Sequence, residues 1–332
     1  DEEKTIMKRQ ILIFLLLCLG AGGLIFYHQS QKEGSVSSTV LGEYRDKYGF
    51  EKERQQVNQE EFQLFNFLHD SVDYQKDVTY KSIPERGYLT LDYAIPKEEG
   101  KYPLLLCLHP GAWTAGDKEE MSFYLYTFSC YGYAVATVDY GLVPHVSMIE
   151  QTENILDAVQ YMVDTFPGKI DKERVIILGA SSGAHLGMLA TERLTNPELS
   201  YREMYDYRLA MVVAAFGPLD FDYFISNNLN NEMLFYIINN MQEVVGDGAY
   251  TYEDVMDLLS PGRNLNPYLP RVLVIHGVED NVIPIAQSRA FYEALLANGT
   301  PADMIEVQHG GHYMITKEFA EPIYNYLEEY IK

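Results

Sequence analysis

Short apolar runs rich in Val, Ile and Leu recur along the chain at Leu104–Leu108, Ala134–Val138, Val175–Leu178, Met211–Phe216, Val272–Ile275 and Met304–Val307. They are unbroken rather than alternating, which is the pattern of strands buried on both faces. The segments between them change period. Met148–Phe166 sets Ile149, Thr152, Ile155, Leu156, Val159, Met162, Val163 and Phe166 along one side, which predicts an amphipathic helix. Ahead of the first run, Val78–Lys81, a turn at Pro84–Gly87 and an alternating Tyr88–Ala94 predict a hairpin. Strands alternating with helices predict a single α/β domain whose mainly parallel sheet carries helices on both faces.

Two parts of the chain stand outside this rhythm. Over fifty residues rich in Asn, Tyr, Phe and Met separate Phe216 from Val272, with an amphipathic stretch at Met233–Val245. The first seventy residues lack the strand pattern altogether. Lys8 and Arg9 precede an apolar run from Ile11 to Tyr27, near the lower limit of about 17 residues for a spanning helix. Met7 before Lys8 reads as a natural start. An uncut anchor is favoured, because Leu24, Ile25 and Phe26 continue the run past the small residues a peptidase would use. Secretion after cleavage is the alternative. Cys18 would carry lipid in a lipoprotein signal, but Leu17 stands where a small residue is needed. Basic residues before the run place the following domain outside the cytoplasm. The organisation expected is a membrane segment over 1–28, a polar Ser/Gly-rich linker over 29–43, and one domain over 44–332. That domain starts with a helix or two over 44–70 packed on its surface.

Composition narrows the chemistry. The 332 residues carry 25 Lys+Arg against 48 Asp+Glu, a net charge of −23. With no basic patch to offset it, this charge argues against nucleic-acid partners and polyanionic substrates. Three cysteines cannot form a disulfide framework, and no Cys/His spacing suits zinc. Cys107 and Cys130 are expected as free thiols, with a pair left open by an extracytoplasmic location.

The candidate chemistry sits where the apolar runs end. Val175–Leu178 leads into Gly179-Ala180-Ser181-Ser182-Gly183 and then a helical segment. Gly-x-Ser-x-Gly between strand and helix makes a turn so tight that only small residues flank it, projecting Ser181 above the sheet. Ser182 is the competing hydroxyl, but only Ser181 has glycines at both two-residue offsets. A serine needs a base, and the base an orienting acid. Asp280, just past Val272–Ile275, fills the acid position, with Glu279 as the weaker candidate. His312, after Gly310 and Gly311, is the base, with His309 as its rival. Backbone N–H groups of Gly111, Ala112 and Ser182 are candidate oxyanion donors. Trp113 and Tyr140 are assigned to the substrate cleft, with packing as the alternative for Trp113. His109, His185 and His276 receive structural readings.

These stations, taken in order over about residues 75–330, resemble the α/β-hydrolase superfamily. Within it the nearest likeness is to bacterial esterases and lipases, the hormone-sensitive-lipase-like and feruloyl- or acetylxylan-esterase-like carboxylesterases. The resemblance rests on Leu91-Asp92-Tyr93, His109-Pro110-Gly111-Ala112-Trp113, Asp139-Tyr140-Gly141-Leu142-Val143-Pro144 and Ile170-Asp171-Lys172-Glu173-Arg174. It continues through the Ser181 turn, His276-Gly277 with Asp280, and His312. It implies the α/β-hydrolase fold with a helical cap over 217–262, and an acyl-enzyme mechanism without a cofactor. Two positions depart from the family pattern. Pro110, which has no N–H, replaces the first glycine of the usual His-Gly-Gly. Ser181-Ser182-Gly183-Ala184 replaces the usual Ser-Ala-Gly-Gly.

The expected function is hydrolysis of short-chain acyl or carbohydrate esters by a membrane-tethered serine carboxylesterase. Rival readings are a prolyl-oligopeptidase-like serine peptidase, which normally carries a propeller this length cannot hold, and a non-catalytic surface binding module on a hydrolase scaffold.

Overall fold

The computed structural model describes residues 71–83, 87–227, 245, 250–312 and 317–332. The expected membrane segment, the linker and the 44–70 helices lie outside the described residues, as does Met233–Val245 apart from Val245, a buried helical residue. Among the described residues no helix is long and apolar enough to cross a membrane.

Eight strands form one sheet in the order β1-β2-β4-β3-β5-β6-β7-β8. They are β1 (Val72–Ile83), β2 (Gly87–Pro96), β3 (Tyr102–Leu108), β4 (Ala134–Val138), β5 (Ile170–Ala180), β6 (Leu209–Ala215), β7 (Arg271–Gly277) and β8 (Ala302–Val307). β2 runs antiparallel to β4, with Tyr93 opposite Ala136, and from β4 to β8 every pairing is parallel. The apolar runs are these strands. Leu104, Leu105, Leu106, Leu108, Ile176, Ile177 and Leu178 are fully buried, as two-sided burial requires. Each contributes about 1.5–3 kcal/mol of transfer free energy. β5 starts earlier than the expected Val175. Its polar beginning pairs with β3 (Tyr102 with Ile170, Pro103 with Asp171) before a register shift leads into the apolar half.

Helices with described ends are α1 (Ser122–Ser129), α2 (Met148–Thr165), α3 (Ser182–Thr195), α4 (Tyr201–Met204), α5 (Phe221–Asn227), α6 (Tyr252–Leu259), α7 (Ile285–Ala297) and α8 (Lys317–Tyr330). α2 is the helix expected from the 148–166 periodicity. A reciprocal capping box starts it: Glu150 N–H donates to Ser147 Oγ, and Ser147 N–H to Glu150 Oε2. Buried side chains of α2 and α3 pack with Leu104, Leu106, Leu108, Val175 and Ile177 on one face of the sheet. Cys107 alternates to the opposite face, where Tyr124 of α1 lies near it. Cys107 and Cys130 are both free thiols.

This topology fixes where a site belongs. After β3 the chain moves outward to β4, then returns across β3 to lay down β5 on its other side. The loops leaving β3 and β5 therefore diverge, opening a crevice at the carboxyl ends of these neighbours. Those two ends carry His109–Trp113 and Ser181.

Candidate active site

β5 passes into α3 through Ser181, whose φ of 53° and ψ of −119° are forbidden ground for most L-residues. Such a conformation costs about 1–3 kcal/mol and persists only where its surroundings enforce it. Here the enforcement is backbone packing. A Cβ on Gly179 would collide with the carbonyl of Gly183, and one on Gly183 with the carbonyl of Leu108, with His109 O at only 2.7 Å. Ser181 N–H donates to Ala215 O at 2.9 Å, pinning the turn to β6. The glycine spacing read in the sequence is thus a steric requirement. It also presses the start of α3 against the end of β3.

His312 and Asp280 meet because two loops touch. Gly277 leaves no room for a Cβ against the carbonyl of Gly310, and Glu279 N–H donates to Gly310 O at 2.8 Å. The loops after β7 and β8 are thereby held together. His312 Nε2 lies 3.0 Å from Ser181 Oγ and its Nδ1 2.8 Å from Asp280 Oδ2. Ser181, His312 and the Asp280 side chain are all nearly or fully buried. Asp280 Oδ1 accepts the N–H groups of Val282 (2.8 Å) and Ile283 (2.9 Å). Burial alone would raise the Asp280 pKa. Hydrogen bonds from His276, His312 and the Ile283 backbone, with the charge interaction of His312, outweigh it and hold the carboxyl well below its usual range. A carboxylate, an imidazole and a hydroxyl in this order can withdraw the hydroxyl proton and stabilise the resulting imidazolium.

Glu279 and His309, the alternatives, pair with each other at 2.7 Å on the surface, where the His309 side chain is 88% exposed. They take no part in the Ser181 array.

The loop after β3 runs through three successive positive φ values: Gly111 (134°), Ala112 (48°) and Trp113 (67°). Thr114 and Ala115 N–H groups close it by donating to Gly111 O. Pro110, the departure from the family pattern, accepts at its carbonyl from His109 Nδ1 at 2.6 Å. Beyond the loop, Lys118 is buried among Asp77 (2.7 Å), Asp92 and Asp139 (3.5 Å each), tying it to β1, β2 and the end of β4. Ser182, the first residue of α3, has an N–H without a carbonyl one turn back inside the helix.

Trp113 and Tyr140 are not cleft surfaces, and both assignments are corrected. Trp113 is 1% exposed. Its indole N–H donates to His185 Nδ1 at 3.1 Å, and its ring packs edge-on against Phe221 and Phe224 of α5. Tyr140 is fully buried, stacked on His109 at 4.2 Å, with its hydroxyl donating to His109 O at 2.9 Å. Aromatic rings with one polar tip gain more from such supported burial than from exposure in a loop. Both residues brace the β3 loop from behind.

Three further contacts escaped the sequence reading. His276 touches Asp280, and its four-residue spacing from that acid was the available signal. Phe216, at a φ of 42°, sets its ring edge-on to His312 at 5.1 Å. His185 accepts from Trp113 and donates through Nε2 to Leu259 O at 2.6 Å, linking the β3 loop to α6. Burial lowers the His185 pKa to about 4, against the opposing effect of the Leu259 carbonyl.

Known proteins bear out this architecture. The BD-FAE family model matches residues 91–295. Esterase LipC of Mycobacterium tuberculosis is 26% identical over 217 residues, covering 63% of this chain and 52% of its own length. A probable isoprenylcysteine alpha-carbonyl methylesterase of Oryza sativa, ICMEL1, is 25% identical over 226 residues, covering 64% and 52%. The chain therefore spans about half the length of these curated relatives. Among solved structures, Esterase B of Lactobacillus rhamnosis superposes with a TM-score of 0.64 at 18% identity, covering 88% of this chain and 93% of that one. With the family model matched over more than half of its length, the chain belongs to the BD-FAE family of α/β-hydrolase esterases.

Proposed function

We propose that the protein is a serine carboxylesterase. Ser181 Oγ attacks the ester carbonyl while His312 Nε2 takes its proton, and Asp280 orients and stabilises the imidazolium. Backbone N–H groups of Gly111, Ala112 and Ser182 receive the oxyanion. His312 then protonates the departing alcohol, and a water activated by the same imidazole hydrolyses the acyl-enzyme. No metal or cofactor enters these steps. The observation that carries the reading is the buried Ser181–His312–Asp280 array at 3.0 and 2.8 Å, built on a strained serine beside the β3 loop. The names of the relatives, esterase and methylesterase among them, support an ester as substrate.

The substrate class proposed is short-chain acyl or carbohydrate esters. Residues 217–262 act as a cap that selects among them, a role supported by the seating of α5 on Trp113. The apolar run from Ile11 to Tyr27 tethers the protein to a membrane, with the domain outside the cytoplasm. The Lys8 and Arg9 charges before the run support this orientation.

The test is hydrolysis of p-nitrophenyl acetate, butyrate, octanoate and palmitate by the full chain, beside an aminoacyl-peptidyl substrate. Turnover of the short esters that falls away with chain length is expected. Peptide cleavage without ester cleavage would refute the reading.

A further inference from the structure

We propose that His276 is a positioning residue that shares the Asp280 carboxylate with His312 and thereby sets how tightly His312 holds its proton during ester hydrolysis. The inference rests on the serine esterase reading above and assigns a role to a second imidazole in the same array.

The hydrogen bonds fix the His276 tautomer. Its Nε2 lies 2.9 Å from Ile283 O and 3.0 Å from Asp280 Oδ2. A carbonyl oxygen can only accept, so the proton sits on Nε2 and is shared between the two oxygens. On the other side of the ring, Nδ1 lies 2.7 Å from Ser288 Oγ on α7, whose hydroxyl donates to it. His276, Ser288 and the Asp280 side chain are all completely buried. Asp280 Oδ2 thus carries two imidazole N–H groups, while Oδ1 carries two backbone N–H groups.

The two oxygens do different work. Oδ1, gripped by the backbone of Val282 and Ile283, keeps the carboxylate in place whether or not His276 is present. Oδ2 divides its charge between His276 and His312. In so dry a setting a donor withdrawn from one side strengthens the bond on the other. Without His276, Oδ2 would pull harder on His312 Nδ1–H and favour the imidazolium. His312 would then stay protonated up to a higher pH, leaving less of the neutral imidazole that can take the Ser181 proton, and would release its proton less readily to the leaving alcohol.

The surrounding charges leave this balance to the two imidazoles. Glu306, opposite His276 on β8, is engaged by Arg289 through two bonds of 2.7 and 2.8 Å. Glu279 and His309 pair with each other on the surface. Of the other buried imidazoles near this end of the sheet, His185 is committed to Trp113 and Leu259, and His109 to Pro110 and the Tyr140 ring.

The experiment measures kcat/KM for p-nitrophenyl butyrate against pH with the full chain as wild type, His276→Leu, His276→Gln and Ser288→Ala. Folding is checked by circular dichroism. For His276→Leu the acid limb of the profile moves to higher pH by about 0.5–1 unit, the effect of losing a shared hydrogen bond to a charged group. Gln, whose amide N–H can reach Asp280, returns the limb toward the wild-type position. Ser288→Ala touches neither Asp280 nor His312, yet it moves the limb in the same direction by less. A folded His276→Leu whose rate falls while its limb stays in place would reduce His276 to packing and overturn the proposal. A limb moved equally by Gln and Leu would do the same. If His276→Leu does not fold, an unmoved limb in Ser288→Ala overturns it. Failure of the underlying reading looks different: the wild type would then show no ester turnover.

Discussion

Adding one methyl group to Gly183 tests whether backbone contact between α3 and β3 assembles the site. A Cβ there would overlap the carbonyl of Leu108 and lie 2.7 Å from that of His109. Neither obstacle is a flexible side-chain tip; both belong to the last residue of β3 and the first of the candidate oxyanion loop. The start of α3 must therefore withdraw from the loop, carrying Ser181 and the Ser182 N–H with it. Overpacking of this kind costs about 1–3 kcal/mol, a fall in Tm of roughly 2–12 °C for a domain of this size. The catalytic cost is larger. Displacing Ser182 N–H from Gly111 and Ala112 by about 1 Å amounts to losing one oxyanion donor, about 10²–10³ in kcat. Gly187→Ala is the control, since its Cβ meets only side chains of the same core, Ile177 Cγ2 at 2.9 Å and Leu108 Cδ1 at 3.2 Å. It should lower Tm with little change in kcat. Steady-state kinetics on p-nitrophenyl butyrate and thermal melts of both variants decide the matter. A Gly183→Ala protein that keeps the wild-type kcat would refute the argument that this contact positions the donors.

Other consequences can be checked on the same protein. Asp280→Asn should lower kcat by about 10³–10⁴ by removing the acceptor that orients the His312 imidazole. Because the folded-state pKa of Asp280 is depressed, its contribution to stability is present above about pH 3.9 and is lost as pH falls below that value. The wild type should therefore lose its Tm advantage over Asp280→Asn on acidification, and an advantage constant with pH would contradict the assignment. Glu192 of α3 is buried, its carboxyl oxygens have no partner among the described residues, and burial raises its pKa well above normal. The sign is then opposite: its cost to stability is absent below about pH 4.3 and grows above it. Glu192→Gln should raise Tm at about pH 7 and leave it unchanged at about pH 4, which melts at the two pH values would show. His185→Leu strips the acceptor from the Trp113 indole and should cost about 1–3 kcal/mol. Trp113 is the sole tryptophan, so its emission reports the change directly, and an unaltered spectrum would contradict the link.

What the sequence disclosed and what it hid follow from the range of the forces involved. The Ser181 turn was legible because its demand for small residues is local, imposed by Gly179 and Gly183 on their own neighbourhood. The central strands were legible because burial on both faces leaves unbroken apolar runs. The polar start of β5 was not, since Asp171 joins the sheet through its backbone pairing with Pro103 rather than through an apolar side chain. Trp113 and Tyr140 were misplaced because the groups that bury them, Phe221, His185 and His109, come from distant parts of the chain. His276 looked like any histidine at a strand end; its four-residue spacing from Asp280 was the one hint, and only the turn between them brings the two together. The left-handed backbone of Phe216 carried no signal in an apolar run.

Ester hydrolysis by this route passes through a covalent acyl-enzyme on Ser181. The most direct measurement treats the full chain with a fluorophosphonate, maps the adduct by peptide mass spectrometry, and compares ester turnover with Ser181→Ala. One adduct is expected, on Ser181, with turnover abolished by labelling and by the substitution alike. Unlabelled Ser181 in a folded protein, or ester turnover that survives Ser181→Ala, would contradict it.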